Sequence, residues 1–530
     1  MAAIIYQKDK RSGITYAYES ISYWNKEKKQ SRAKRKLIGR VSDNGDIVPT
    51  DGRGKRNKKP KCEMSIDKPK ATRNFYGATY LLDSIGKKLG LTKDLQKCFG
   101  NSYKQILSIA YYLILEDSTP LYRFEKWSIL HKHPYDKNIS SQMSSELFAS
   151  ITEESKVNFF KEWARHKAKD EFWAYDTTSI SSYSEQLKQI QYGHNKESDP
   201  LAQLNLAIVF GENSNLPFYY RKLSGNIPDS KTLIHLLEDM KQLDFKKLKL
   251  VMDRGFFSKE NINTLFEKHL KFLVSARMSL SFIQSNLEDI YDNFCSYDCY
   301  LSEYELYART VSTTWGYKKN RPYKKDSIDK KKRIYLHYYY NIEKAAEDKK
   351  VFDNRLIEYK NELISKKPVK EHQGFYDRYF IIKQTPKRGI SIEVKTDEIE
   401  KHAKHNGFFV LLTNEKMDAT KALQLYRNKD VVEKAFGNLK ERLSMRRLLV
   451  SSEHSLNGKL FVEFIALIFL SYIKKQMQIK NLYKKYTFQT LLDKIDLIEY
   501  FEYPNTKPRV GEVLEKQKEI YKAMEVDIPR

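Results

Sequence analysis

The chain has 530 residues and a formal net charge of +27, from 95 Lys and Arg against 68 Asp and Glu. Its 41% hydrophobic and 13% aromatic content excludes a disordered polyelectrolyte, and its length exceeds what one core organises, so two to four domains are expected. A positive surplus of this size points to a polyanionic partner, with nucleic acid ahead of a membrane surface.

The charge is unevenly spread. Residues 1–70 hold 19 Lys and Arg against 8 Asp and Glu, a net +11. Within them YAYESISYWNKEKKQSRAKRKLIGRVS alternates aromatic and polar residues and then turns basic, which suggests a small β-rich module. The stretch 51-DGRGKRNKKPK-61 reads as a basic linker. Aromatics interleaved with cations suit contact with nucleic-acid backbone and bases. The opening MAAIIYQKDKRSG lacks the apolar core of a signal sequence.

Residues 71–168 change to helical periodicity in FYGATYLLDSIGKKLGLTKDL, YKQILSIAYYLIL and EESKVNFFKEWARHKAK, with breaks near Gly100 and Pro120. A helical, DNA-binding domain is expected there. Strands dominate 169–277. EFWAYDTTSIS reads as an aromatic strand closing on Asp176, followed by LNLAIVFG and LPFYYRKLSG. A helix fits 229–243, then LKLVMDRG is a strand ending on Asp253, SKENINTLFEKHL a helix and KFLVSAR a strand. This is a mixed α/β core with acidic residues at the carboxyl ends of two strands.

Residues 278–405 break that rhythm and read as an inserted α+β domain, with a very basic segment, 318-KKNRPYKKDSIDKKKR-333, holding 9 basic and 2 acidic residues. Residues 406–480 return to the core with the strand GFFVLLTN. They close on 460-LFVEFIALIFLSYI-473, too short for a membrane span and carrying a glutamate, hence a buried helix. The tail, 481–530, reads as helical and charged. Cys62, Cys98, Cys295 and Cys299 form no CxxC pair and lack histidines at zinc spacing, so reduced structural thiols are expected, as in a cytosol.

The stretch 418-DATKALQLYRNKDVVEKAFGNLKERL-443 predicts one long amphipathic helix. Asp418 is its N-cap, and Leu423, Leu425, Val431, Val432, Ala435, Phe436, Leu439 and Leu443 form its docking face. Tyr426, Lys429, Glu433 and Lys440 fall within about 40° of one line at 100° per residue, so a single carboxylate is flanked by cations. Alone, such a line is far more often a solvated salt-bridge stripe. Asp176, Asp253 and Glu433 together, on two strands and one helix, supply the oxygen ligands that two hard metal ions such as Mg²⁺ or Mn²⁺ require for phosphodiester chemistry.

WAYDTTSISSYS, YGHNKESDPLAQLNLAIVF, LPFYYRKLSGNIPDSKTL, LVMDRGFFSKENI and YRNKDVVEKAFGNLKERL resemble the DDE transposases of bacterial insertion sequences, in the ribonuclease H-like group marked by a Tyr-Arg-Glu-Lys signature. The likeness runs from about Phe172 to Lys475. It implies a ribonuclease H-like mixed sheet interrupted by an inserted domain, with Asp176, Asp253 and Glu433 as catalytic and metal-holding residues. Tyr426 and Lys440 match the ends of the signature, and Lys429 stands where the signature has arginine, which keeps the charge but not a planar fork. Arg427 next door offers a guanidinium, and Lys196 and Arg254 complete the expected DNA contacts. The implied activity is metal-dependent cleavage at element ends and transfer of the freed 3′-hydroxyl into target DNA. The implied partners are double-stranded DNA carrying terminal inverted repeats, target DNA and a second copy of the chain in a synaptic complex, with no membrane. The implied setting is a bacterial cytoplasm, at the nucleoid. A related nuclease without strand transfer, and a non-catalytic DNA-binding descendant, are the alternatives. Retention of three mutually repelling carboxylates argues against the second.

Overall fold

The computed structural model describes residues 2–10, 12–25, 29–49, 71–117, 119–167, 171–184, 186–196, 199–245, 248–321, 326–385, 389–443, 450 and 452–530. The basic linker at 51–61 lies outside them. Residues 1–72 form one compact unit and 73–530 another.

The first unit is an antiparallel meander of β1 (Ala2–Lys8), β2 (Thr15–Asn25), β3 (Gln30–Val41) and β4 (Ile47–Pro49). Cross-strand register puts Ile4, Tyr6, Ile21 and Tyr23 on one face, with Lys34 opposite Ile21 and Arg32 opposite Tyr23. All four apolar side chains on this face are exposed.

In the second unit, β5 (Thr72–Phe75) leads into α1 (Gly77–Lys88), α2 (Leu91–Phe99), α3 (Tyr103–Leu115), α4 (Phe124–Leu130), α5 (Ser141–Ser150) and α6 (Glu153–Lys167). The chain then enters β6 (Trp173–Ser181), β7 (Gln203–Gly211) and β8 (Pro217–Ser224), followed by α7 (Asp229–Gln242), β9 (Lys249–Met252), α8 (Lys259–Glu267) and β10 (Lys271–Ala276). β9 lies parallel to both β6 and β10, and every residue of β6 and β7 is buried, as befits strands covered on both faces.

The segment 278–405 divides between two places. α9 (Ser281–Glu288), β11 (Tyr300–Leu301), β12 (Leu306–Arg321) and β13 (Asp326–Tyr340) stay with the main sheet. α10 (Ile342–Ile364), α11 (Gln373–Tyr379), β14 (Phe380–Thr385), β15 (Gly389–Val394) and α12 (Thr396–Ala403) build a satellite around Leu363, Tyr376 and Phe380. β16 (Phe408–Thr413) then pairs antiparallel with both β13 and β10. The sheet therefore has nine strands in the order β11-β12-β13-β16-β10-β9-β6-β7-β8. The described parts of the basic segment, 318–321 and 326–333, fall on β12 and β13, which pair as a hairpin. Its inner end carries Trp315, which donates to Asn263 Oδ1 at 2.8 Å, and Tyr317, stacked on Phe266.

The predicted single helix over 418–443 is three pieces: α13 (Ala419–Asn428), α14 (Asp430–Gly437) and a π-helical turn at Asn438–Arg442. α15 (Glu453–Ile479) follows, then α16 (Phe488–Asp496), β17 (Glu499–Glu502), β18 (Arg509–Val510) and α17 (Glu515–Ala523). The tail returns to the start of this unit: β17 joins β5 and β18 in a small sheet, and the Tyr521 hydroxyl donates to Gly77 O at 2.8 Å.

α15 is the beam on which helices and sheet meet. Phe461 packs on Phe99 and Phe469 on Tyr111 from the helical side, and Phe464 packs on Tyr220 of β8 from the sheet side. At Gly458 a Cβ would lie 2.3 Å from Phe148 Cα, so only glycine lets α5 approach so closely. By length and composition α15 could cross a membrane, and 89% of its most apolar window is buried inside the protein. Its one buried carboxylate is Glu463, 0% exposed, with both oxygens lacking a hydrogen-bond partner and Lys459 Nζ at 3.8 Å.

Burial pushes the Glu463 carboxyl up to about 7, with Lys459 pulling back. The folded state therefore holds a proton that the unfolded chain releases above about 4.5, and stability falls as pH rises from there to about 7. Glu463→Gln should remove that slope, making the variant more stable than wild type at pH 8, by up to about 3 kcal/mol, with the two converging near pH 5. Chemical denaturation at the two pH values checks this. An equal gap at both would show that the carboxylate is not desolvated.

Candidate active site

β6 does not close on Asp176. It continues to Ser181, and Asp176 faces Ile208 in the middle of the antiparallel ladder with β7. What stops there is the parallel ladder with β9, whose last paired residues are Tyr175 and Met252. Asp176 and Asp253 are thus the next residues on neighbouring strands, which run about 4.8 Å apart. Asp253 is fixed as the cap of a short turn, its Oδ1 accepting from Gly255 N at 2.7 Å.

The α13–α14 hinge brings the helix over this strand edge. Asp418 caps α13 as expected, accepting from Lys421 N at 2.7 Å. At the hinge Lys429 N donates to Tyr426 O and Val432 N to Lys429 O, two tightened turns in place of the α ladder. Tyr426, Lys429 and Glu433 still line one cleft with Asp253, Arg254, Gly255, Ser275 and Arg277, about 510 Å³ in volume. A larger cavity of about 1070 Å³ shares Arg254, Ser275 and Arg277 with it and extends toward Lys344, Arg355 and Arg378 of the satellite.

Two of the expected DNA contacts, Lys440 on the stripe and Arg427 beside it, lie elsewhere. Lys440 belongs to the π turn and is buried at 8% exposure, because the hinge and the π turn rotate it off the line a straight helix would give. Arg427 stacks its guanidinium over Tyr304 at 4.7 Å and does not line the cleft.

Charge dominates the rest of the geometry. The Asp176 side chain is 7% exposed, and burial raises its pKa with Asp253 adding to the rise, while Lys196 and Lys429 oppose it. Lys196 Nζ stands 3.6 Å from Asp176 Oδ1, and Lys429 Nζ stands 3.9 Å from Asp176 Oδ2 and 3.0 Å from Glu433 Oε1. Burial works against the Lys429 ammonium, but Asp176 and then Glu433 outweigh it and its pKa ends above the ordinary lysine value. The Glu433 carboxylate is 61% exposed, open on its solvent side.

Lys196, expected as a DNA contact, is turned inward. Its ammonium donates to Thr177 O at 2.7 Å and to Thr177 Oγ1 at 2.9 Å, and pairs with Asp229 Oδ2 at 3.0 Å. The Thr177 hydroxyl itself donates to Asp229 Oδ1. Asp229 is a fourth carboxylate that sequence reasoning took only as the start of a helix. Its one signal is its place directly after Pro228, as the acidic residue in the first turn of α7. Arg277 was likewise read only as the last residue of a strand.

All three predicted metal ligands are hard oxygen donors, and two come from adjacent strands, which suits a divalent ion of the Mg²⁺ class. Among the described residues no three ligand side chains are already closed into a coordination shell, and Lys429 stands between Asp176 and Glu433.

Comparison with known proteins gives the class. The family described as the transposase DDE domain matches residues 167–469, more than half of the chain, and the chain belongs to that family. It is therefore a DDE transposase, an enzyme of DNA transposition. No curated protein matches the chain. A piggyBac transposase synaptic complex with hairpin DNA, solved by cryo-EM, matches with 9% identity over 79% of this chain and 77% of that one. Its TM-score of 0.36 is too slight to carry any argument.

The Lys196–Asp229 pair yields a direct test. In a stability cycle of Lys196→Met, Asp229→Asn and the double variant, coupling of about 1 kcal/mol is expected, since the pair is half-shielded and shares Thr177. Coupling near zero by urea denaturation would reduce it to a screened surface pair.

Proposed function

We propose that this transposase serves a bacterial insertion sequence. In this reading it cuts DNA at the ends of the element with Asp176, Asp253 and Glu433, and joins the freed 3′-hydroxyl to target DNA. The observation that carries the reading is the meeting of Asp176 and Asp253 at the end of the parallel ladder, beneath a hinged helix that carries Lys429 and Glu433. Mixed strand directions, with one aspartate on β6 and the other just past the end of the adjacent β9, support a ribonuclease H-like core.

The three carboxylates would hold Mg²⁺ or Mn²⁺, with two ions as the working number. A bound divalent ion supplies electrophilic pull on the phosphate oxygens and eases the departure of the leaving oxygen. The remaining work falls to the chain itself. Arg254 and Arg277 offer guanidinium forks to the non-bridging oxygens of the scissile phosphate, and Lys429 adds a point charge between them and the carboxylates. Tyr426, mostly buried, walls the cleft, and burial raises the pKa of its hydroxyl so that it stays a neutral donor. In the first step water attacks the phosphate at the element end and the P–O3′ bond breaks to free the 3′-hydroxyl; in the second that hydroxyl attacks a target phosphate held in the same place and the target's 3′-oxygen leaves. The larger cavity toward Lys344, Arg355 and Arg378 supplies a cationic path for the flanking backbone. The exposed aromatic and basic face of β1–β3 offers a second DNA-binding surface in the first unit. The active form on paired ends is a homodimer, and the setting is a bacterial cytoplasm at the nucleoid.

Asp176→Asn, Asp253→Asn and Glu433→Gln should each lower Mg²⁺-dependent cleavage of a labelled terminal duplex at least about a hundredfold, with duplex affinity kept or slightly raised. Near-normal cutting by any one of them removes that residue from the assignment.

Deleting residues 1–70 should weaken duplex binding and flatten its salt dependence by about 0.9 in slope for each phosphate that is no longer neutralised. An unchanged slope would mean that the net +11 of that segment does not touch DNA.

A further inference from the structure

Two ammonium groups flank the buried Asp176 carboxylate, and they are held very differently. Lys196 has three partners at 2.7, 2.9 and 3.0 Å, the full donor complement of an ammonium, before its looser 3.6 Å approach to Asp176. Its partners are the carbonyl and hydroxyl of Thr177 on β6 and the Asp229 carboxylate at the first turn of α7, so it is fixed. Lys429 has one hydrogen bond, to Glu433 at 3.0 Å, and stands 3.9 Å from Asp176 and 6.0 Å from the Tyr426 ring centre. It is 3% exposed, too buried to go without counter-charge. It also lies on the hinge between α13 and α14, where the regular helical bonding is interrupted.

We propose that Lys429 is an exchangeable internal cation: in the metal-free enzyme it bridges Asp176 and Glu433, and when a divalent ion takes those carboxylates it is released to hold a substrate phosphate in the same cleft. This rests on the reading of Asp176 and Glu433 as metal ligands. Its physical basis is that an ammonium and a divalent ion compete for the same two carboxylates, and a displaced buried ammonium needs another anion nearby. The phosphate of DNA is that anion. Metal and DNA binding are thereby coupled through one side chain, and such coupling is reciprocal. Lys429 acts here as a positioning residue for the cation and the phosphate together. Lys196 keeps its place throughout and leaves the buried site partly neutralised in either state.

The test is Mn²⁺ binding to the full-length protein without DNA, followed by electron paramagnetic resonance. Lys429→Met should bind Mn²⁺ about tenfold more tightly than wild type, because the competitor is gone, while Lys429→Arg should stay close to wild type. Should the methionine variant fail to fold, Lys429→Gln makes the same comparison. Unchanged or weaker Mn²⁺ binding in a folded neutral variant overturns the proposal. Asp176→Asn is the control on the underlying reading. If it binds Mn²⁺ as wild type does, the ligand assignment itself is wrong. If it loses Mn²⁺ while the Lys429 variants show no gain, the ligands stand and the exchange does not. A second measurement follows a short random-sequence duplex. Wild type should bind it more tightly with Mn²⁺ present, and Lys429→Met should lose most of that enhancement. An enhancement that persists undiminished in the variant also overturns the proposal.

Discussion

A carboxylate placed in the middle of a fully buried strand cannot stay charged without cations at contact distance, and Asp176 is such a group. Its surroundings follow from that constraint. Lys196 comes from the β6–β7 connection and is fastened by Thr177 and by Asp229 at the first turn of α7. Lys429 comes from a helix 253 residues further along the chain and reaches the same carboxylate because the helix bends there. The β6–β7 connection, α7 through Lys196 and the α13–α14 hinge are thereby tied to one buried charge on β6. Loss of the connection or of the hinged helix would remove one of the two cations that compensate that charge.

The same logic, with the sign reversed, governs the other side of the molecule. α15 is apolar on nearly every face, so it is stable only if covered all round, and it is covered by α3 and α5 on one side and the β8 edge of the sheet on the other. The helical segment before β6 is therefore not a separate body loosely attached to the sheet. Both halves share the core that α15 supplies, and movement of one against the other would expose its phenylalanines.

Much of this was legible in the sequence because the relevant signals are local. The strands of the sheet from β6 to β10, the intervening helices and the Asp418 cap all follow from period and turn chemistry. Asp253 was visible as the end of a short apolar run. The straight helix over 418–443 was not a safe inference, because the hinge at Lys429 answers to a carboxylate 253 positions away, which no helical wheel contains. Lys440 lost its place on the stripe for the same reason. Asp229 escaped notice because a helix start explains an aspartate fully well by itself. The β12–β13 hairpin was hidden by composition: nine cations in sixteen residues mask the alternation that Trp315 and Tyr317 begin.

That hairpin carries an uneven reserve of local stability. From Tyr340 back to Tyr335 the β13 strand is paired on both sides, by β12 and by β16. Toward the hairpin tip the ladder then has two strands only, pinned against α8 and α9 by Trp315 and Tyr317 through Asn263, Phe282 and Phe266. Past Tyr317 the pairs from Lys318–Asp329 to Arg321–Asp326 continue with no third strand beside them among the described residues, a ribbon held by its own rungs. Amide exchange along this one hairpin should thus span the whole range from global unfolding to fraying, and the gradient runs outward with the positive charge. The described rungs that carry the most positive charge are thus the ones with the fewest neighbours to hold them closed.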